Sequence, residues 1–298
     1  MNSVNVTDSN KRVSLPPSIY ILAAVILWST GGLFIKTATV SAFEINAGRC
    51  LLAALTIGLL TYRRGLKLNK FTVLTALLYA GTLSCFAIAT KKTTAANAIF
   101  LQYTAPIYIL IFAPLILKEK FRWTDLLTIV FCLAGMSLFF FDAAPNANLS
   151  LQSQFEGNIL ALVSGLFFGF YFTLLRHPRS LSQNPAVSVF YGNLIAVLLM
   201  LPFVLTAPSN WSWQDVLAVS YLGVFQIGLA YFLFTYGLAR GVRSLDASII
   251  GFIEPLLNPI WVFLFVGEKP SNWAIIGGIV IITTIALHTI LNARQKIR

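Results

Sequence analysis

The chain reads as an all-α integral membrane protein of ten transmembrane helices, arranged as two inverted five-helix repeats around a central cavity. Three observations carry that expectation. The 298 residues are 57% hydrophobic and only 10% charged, where a soluble domain carries about 25% charge. The apolar residues gather into runs of about 20, the length that crosses a hydrocarbon core about 30 Å thick. Two proline landmarks also recur at one offset along the chain.

In chain order, residues 1–15 form a polar tail with Lys11 and Arg12 close to the first run. That run, Pro17 to Phe34, lacks a small-residue cleavage site followed by a soluble domain. It reads as a first transmembrane helix and not as a removed signal peptide. Further runs lie near 43–62, 71–90, 95–117, 123–141, 156–175, 186–206, 214–237, 244–266 and 271–292. The connections are short except for residues 142–155, rich in Asn, Ser, Gln and Pro. This stretch is the expected extracytoplasmic linker between a first unit, 16–141, and a second, 156–292. Residues 293–298 form a second polar tail.

The landmarks lie in the fourth and ninth runs. Pro106 is followed after 13 positions by Glu119, and Pro255 after the same 13 by Glu268. A proline inside an apolar helix removes a backbone hydrogen bond, so kinks are expected at Pro106, Pro255 and Pro259.

Lysine and arginine set the orientation. With the N-terminus in the cytoplasm, 16 of them fall inside and 4 outside (Lys36, Lys91, Lys92 and Lys269), with Arg49 embedded in a helix. Both termini are therefore expected in the cytoplasm, in a multi-pass protein of the cytoplasmic (inner) membrane. Five spans per half is an odd number, so the second half is inverted relative to the first. Inverted repeats with proline-interrupted helices in matching places point to alternating access around a midplane site.

The net charge of +11 does not indicate nucleic acid, because the basic residues flank apolar runs on alternate loops. Cys50, Cys85 and Cys132 all fall within runs, without CxxC spacing. They read as small buried hydrophobes, not as a disulfide or a metal cluster. HExxH, GxSxG and a Gly-rich GK[ST] loop are all missing, so no enzyme, no cofactor and no self-contained ATP-driven pump is expected. His288, in the tenth run, reads as a hydrogen-bonded packing residue.

Several short motifs resemble a known repeat. Thr93-Thr94-Ala95-Ala96-Asn97-Ala98 leads through Pro106 to Glu119, and Ser244-Leu245-Asp246-Ala247-Ser248 leads through Glu254-Pro255 to Gly267-Glu268. Leu27-Trp28-Ser29 with Lys36, and Arg49 with Leu51-Leu52-Ala53-Ala54, add to the pattern. Phe168 to Arg176 repeats the spacing of Trp28 to Lys36. Together these resemble the EamA repeat of the drug/metabolite transporter superfamily, over about residues 18 to 292. The resemblance implies exporters of amino acids, other small metabolites or drugs. The halves have diverged, since Ala105 stands where the second copy has Glu254 and the seventh run has no counterpart of Arg49.

Glu254 is the only acid in the middle of a run. A charge there costs about 2.5–3.5 kcal/mol on insertion, which neighbouring Ile, Phe and Leu offset by about 0.3–0.6 each. Two readings remain open: Glu254 binds a cationic group or a proton in an aqueous cavity, or it stays protonated and hydrogen-bonds a neighbouring helix. Gly251, Glu254, Asn258 and Trp261 share helical spacing, which fits either a cavity face or a packing face. Gln102 and Tyr103 stand one turn before Pro106 and are candidates to line the path. Arg49 either contacts a substrate carboxylate, snorkels outward or pairs with Glu44. Trp28, Tyr171 and Tyr231 are further candidates, set against packing. Trp123, Trp211, Trp213 and Trp273 read as interfacial anchors.

The functional expectation is a secondary exporter of small metabolites, amino acids or related amphipathic compounds foremost, with the lipid bilayer and a small-molecule substrate as its partners. An organic-cation or multidrug exporter of the same architecture is the alternative. A nucleotide-sugar carrier would want several cationic side chains in its helices, and only Arg49 is there. A membrane enzyme or scaffold would need a reactive cluster. Glu254 permits proton coupling, passive export is equally compatible, and the oligomeric state is not legible.

Overall fold

The computed structural model describes residues 15–140, 150–206, 210–266 and 271–297. The first half holds α1 (Pro17–Ser29), α2 (Gly31–Thr37), α3 (Ala42–Thr61), α4 (Lys70–Lys92), α5 (Ala95–Gln102), α6 (Ala105–Leu117) and α7 (Trp123–Ser137). The second holds α8 (Leu151–Leu175), the short α9 (Pro178–Leu181), α10 (Val187–Thr206), α11 (Trp213–Tyr221), α12 (Ala230–Ala239), α13 (Ser244–Gly251), α14 (Ile253–Val266) and α15 (Asn272–Ile297). A π-helical stretch, Leu222–Leu229, joins α11 to α12.

Among the described residues, nine segments are long and apolar enough to cross a bilayer. The expected run 244–266 is not one of them. It is two helices of 8 and 14 residues, α13 and α14, parted at Phe252. The fourth run is parted in the same way, at Tyr103 and Thr104, between α5 and α6.

The breaks lie one turn before the prolines that were expected to mark kinks. Pro106 falls in the first turn of α6, and Pro255 is the third residue of α14. A proline lacks its own N–H, and its ring clashes with the carbonyl four residues back. The helix therefore gives way ahead of it, and the proline falls in the first turn of the next segment, where its own N–H would have had no partner within that helix. Both breaks tighten to three-residue hydrogen bonds, Thr104 N–H to Leu101 C=O and Phe252 N–H to Ile249 C=O. At Pro259 the backbone of α14 continues as helix, so no break falls there.

Two other boundaries differ from expectation. α8 begins at Leu151 with Ser150 as its cap, so the last residues assigned to the 142–155 linker are helical. There Glu156 meets Lys92 Nζ at 2.6 Å, and the Ser153 hydroxyl donates to the Lys92 carbonyl. The basic end of α4 is thus tied to the start of α8. α15 runs on to Ile297, into the residues read as a C-terminal tail.

The helices pair in a pattern that survives exchange of the two halves. α4 packs on α8 as α12 packs on α1, α6 packs on α8 as α14 packs on α1, and α3 meets α10 while α7 meets α15. The α7–α15 contact uses Gly135 and Gly277, where a Cβ on Gly135 would come within 2.9 Å of the Gly277 carbonyl. Close approach through small residues is how membrane helices associate without a hydrophobic driving force between them. Outward faces carry bare leucines, with Leu55 56% and Leu115 73% exposed. That surface would aggregate in water and suits lipid.

The candidate substrate pocket at the helix breaks

The two breaks face each other inside the bundle. A pocket lies between them, walled by Trp28 of α1, Gln102 and Tyr103 at the first break, Phe168 and Phe172 of α8, and Ser248 of α13. Both halves contribute walls. Its volume is about 10 Å³, near the room one water needs and too small for a metabolite in this conformation.

Trp28 is 6% exposed, and its indole N–H is buried without a hydrogen-bond partner. Its ring packs on Tyr231 and Phe234, at centroid distances of 4.8 and 4.9 Å. Phe168, which repeats the Trp28 spacing in the second half, faces it at 6.1 Å. Gln102 donates through Nε2 to the Ser164 hydroxyl at 2.7 Å, which in turn donates to the Thr82 carbonyl. It is at once a pocket wall and a strut to α8.

Tyr103 is the link to Glu254. Its hydroxyl stands 2.7 Å from the Gly251 carbonyl and 2.8 Å from Glu254 Oε2. Its ring lies 5.3 Å from that of Phe252. The expected common face of Gly251, Glu254 and Trp261 is divided between partners: the first two meet Tyr103, whereas Trp261 donates through Nε1 to Ser29 of α1 at 2.8 Å. Glu254 and Trp261 both lie on α14, two turns apart, and Gly251 ends α13 on the other side of the break. The Asn258 and Pro259 side chains lie outside the described residues.

Tyr231 stands behind Trp28, and Tyr171 is fully buried against Tyr79 at 5.2 Å, away from the pocket. Arg49 is 2% exposed and directs Nε and Nη2 onto Asn46 Oδ1, at 3.1 and 2.9 Å. It therefore neither snorkels outward nor forms an ion pair with Glu44. Glu44 instead closes a capping box with Ser41 and accepts from Trp211 Nε1 at 3.3 Å.

A second polar site occupies the end of the bundle where α7, α13 and α15 meet. Arg243 Nη2 lies 3.0 Å from Asp125 Oδ2, and Arg243 also approaches Asp246 at 3.5 Å and Glu119 at 3.8 Å. His288 joins them, sharing a hydrogen bond with the Thr128 hydroxyl at 3.1 Å and lying 2.8 Å from Asn292 Nδ2. The donor atoms of Asp125, Asp246 and His288 fall within 4.8 Å of one another. The Arg243 guanidinium already supplies there the positive charge that a metal would bring. Beside this network, Arg240, Arg243, Asp246, His288 and Asn292 line a cavity of about 500 Å³.

Sequence reasoning missed Phe172, Ser248 and the Arg243 network. Phe168 carried a signal, its spacing relative to Arg176. Asp125 and Asp246 carried another, as acids set at the ends of apolar runs.

The comparisons with known proteins agree with this architecture. The EamA-like transporter family matches the chain twice, over residues 15–141 and 155–290. An uncharacterized transporter, YxxF, from Bacillus subtilis is 25% identical over 282 residues, covering 90% of this chain and 88% of its own. Human solute carrier family 35 member G1 is 25% identical, covering 89% and 76%. A solved crystal structure superimposes with a TM-score of 0.81 at 22% identity, over 94% of this chain and 98% of its own. That likeness shows the fold. With both halves matched, this multi-pass membrane protein belongs to the EamA-like transporter family.

Proposed function

We propose that the chain is a secondary transporter that exports small metabolites, amino acids or related amphipathic compounds, across the cytoplasmic membrane by alternating access. The units 16–141 and 156–292 rock about the pocket, both termini lie in the cytoplasm, and no catalytic step is involved. The observation that carries this reading is the pocket itself. It sits where two interrupted helices meet and takes walls from both halves, so relative motion of the halves opens or closes it. Aromatic walls at Trp28, Phe168 and Phe172 suit an apolar side chain. The unpartnered Trp28 N–H suits a carbonyl or carboxylate acceptor. Outward direction draws support from the resemblance to exporters.

The alternative, an organic-cation exporter, draws on Glu254, which no cation among the described residues ion-pairs. Counterflow in proteoliposomes separates the two. Labelled amino acids and organic cations are offered to preloaded vesicles, and accelerated exchange of at least one amino acid is expected. Acceleration by organic cations alone selects the alternative. No acceleration of either class over protein-free vesicles ends both.

A further inference from the structure

The contact between Tyr103 and Glu254 can be counted in hydrogens. Pro255 has no N–H, so the Gly251 carbonyl four residues earlier loses its helical donor. The Tyr103 hydroxyl stands 2.7 Å from that carbonyl and replaces it. A phenol has one hydrogen to give. The same oxygen stands 2.8 Å from Glu254 Oε2, and an ionised carboxylate only accepts. With the phenolic hydrogen on Gly251, an ionised Glu254 would face Tyr103 lone pair to lone pair. A protonated Glu254 donates to the Tyr103 oxygen, which donates to the Gly251 carbonyl, and both short contacts become hydrogen bonds.

The surroundings agree. Tyr103 faces Glu254 from the α5–α6 break, and Tyr231 of α12 lies within electrostatic reach of both. Arg49 of α3 is within reach of Tyr231. Glu254 is part-buried, and among the described residues no cation is ion-paired with it to hold an ionised carboxylate there.

We infer that Glu254 holds a proton in this closed conformation and exchanges it with water when the pocket opens, which makes the Tyr103–Glu254–Gly251 junction a proton site between the two halves. On release, the O–H bond of Glu254 breaks heterolytically. The proton passes to a water admitted from the aqueous side, and the electron pair stays on the carboxylate. The Tyr103 hydrogen then turns from Gly251 to Glu254, and the Gly251 carbonyl is left to water. The junction across the halves thus exists in two hydrogen-bonded forms that differ by one proton. Its place in a transport cycle rests on the transporter reading above, whereas the presence of the proton does not.

Infrared difference spectra of the full-length protein in lipid test it. Wild type minus Glu254→Gln at neutral pH is expected to show the carbonyl stretch of a protonated carboxylic acid, shifted on transfer to D₂O. Gln keeps a donor for Tyr103, so the variant retains the junction. Tyr103→Phe is expected to move the band to the higher frequency of an acid without a hydrogen-bond acceptor. A difference spectrum without the acid band overturns the inference. A band unmoved by D₂O overturns the exchange. An intact band in a protein that fails every counterflow assay supports the proton site and defeats only the transporter reading.

Discussion

Tyr103 and Phe252 occupy the same place in the two halves, each at the break ahead of its proline, and their rings stand 5.3 Å apart. The two weak points of the fold therefore brace each other. Phe252 is fully buried. Replacing it with alanine is expected to cost about 3–5 kcal/mol, seen as a lower midpoint of thermal unfolding in detergent. Leucine, which keeps much of the volume, is expected to cost less. Equal losses for both substitutions would mean that ring packing at the breaks is not what holds them.

The first break is also held by a close approach. Pro106 deprives the Gln102 carbonyl of its helical donor, and that carbonyl lies over Gly165 of α8. A Cβ at residue 165 would stand 2.9 Å from it. Gly165→Ala is expected to destabilise by about 1–3 kcal/mol through overpacking, and to weaken counterflow because α8 walls the pocket. Unaltered unfolding and counterflow in this variant would show that the helices part freely there.

The spans and the duplicated breaks were legible because they rest on local chemistry. Apolar runs of bilayer length need no tertiary knowledge, and a proline acts on its own helix. The exact break positions were missed by one turn, since the ring's clash is with the carbonyl behind it. The pocket was half legible. Trp28, Gln102 and Tyr103 could be named from position, but Tyr171 and Tyr231 carry the same signature and lie behind the wall. Which aromatic faces the pocket depends on helix rotation, and apolar lipid-facing and core-facing sides blur the periodicity that would reveal it. The partners of Arg243 lie 118 and 124 residues away in sequence, at Asp125 and Glu119, and no local rule connects them.

The Arg243 network is expected to hold α7, α13 and α15 together. Asp125 is fully buried, and removing its partner leaves a buried charge, so Arg243→Gln is expected to cost about 3 kcal/mol. The pH dependence has a defined sign. Burial pushes the Glu119 carboxyl above its ordinary 4.5, opposed by Arg243 and Arg176. An acid raised in this way favours the fold while protonated. Its contribution is full below pH 4.5 and is lost as pH climbs through the raised value. Unfolding midpoints measured over a pH series are expected to fall through that window in wild type, to fall less in Glu119→Gln, and to fall at higher pH in Arg243→Gln. An unchanged slope in Glu119→Gln would place the acid outside the balance.

Trp28 separates packing from recognition. Its N–H is buried without a partner, which costs about 1–3 kcal/mol in the empty site. Trp28→Phe keeps an aromatic wall and removes the donor, so stability is expected to hold or rise. Counterflow affinity is expected to fall about tenfold as one hydrogen bond to substrate is lost, worth up to about 1.5 kcal/mol. A fall in stability with affinity intact would assign the indole to packing alone.

Arg49 poses the same question with a full charge. It is buried, both of its hydrogen bonds go to the single oxygen Asn46 Oδ1, and no carboxylate among the described residues stands within ion-pair distance. A buried cation without a counter-ion is a liability to the fold, and a substrate carboxylate would relieve it. Arg49→Met removes the charge and keeps an unbranched apolar stem. Its unfolding midpoint is expected to match or exceed that of wild type, while counterflow of amino acids falls by roughly ten- to a hundredfold, the loss of a charge-assisted hydrogen bond of about 1.5–3 kcal/mol. Arg49→Lys is expected to recover part of the transport, because a point charge replaces the fork. If Arg49→Met lowers stability and leaves counterflow intact, the guanidinium serves only the local structure of α3, where it bonds Asn46, and recognition of the carboxylate must come from the Trp28 N–H.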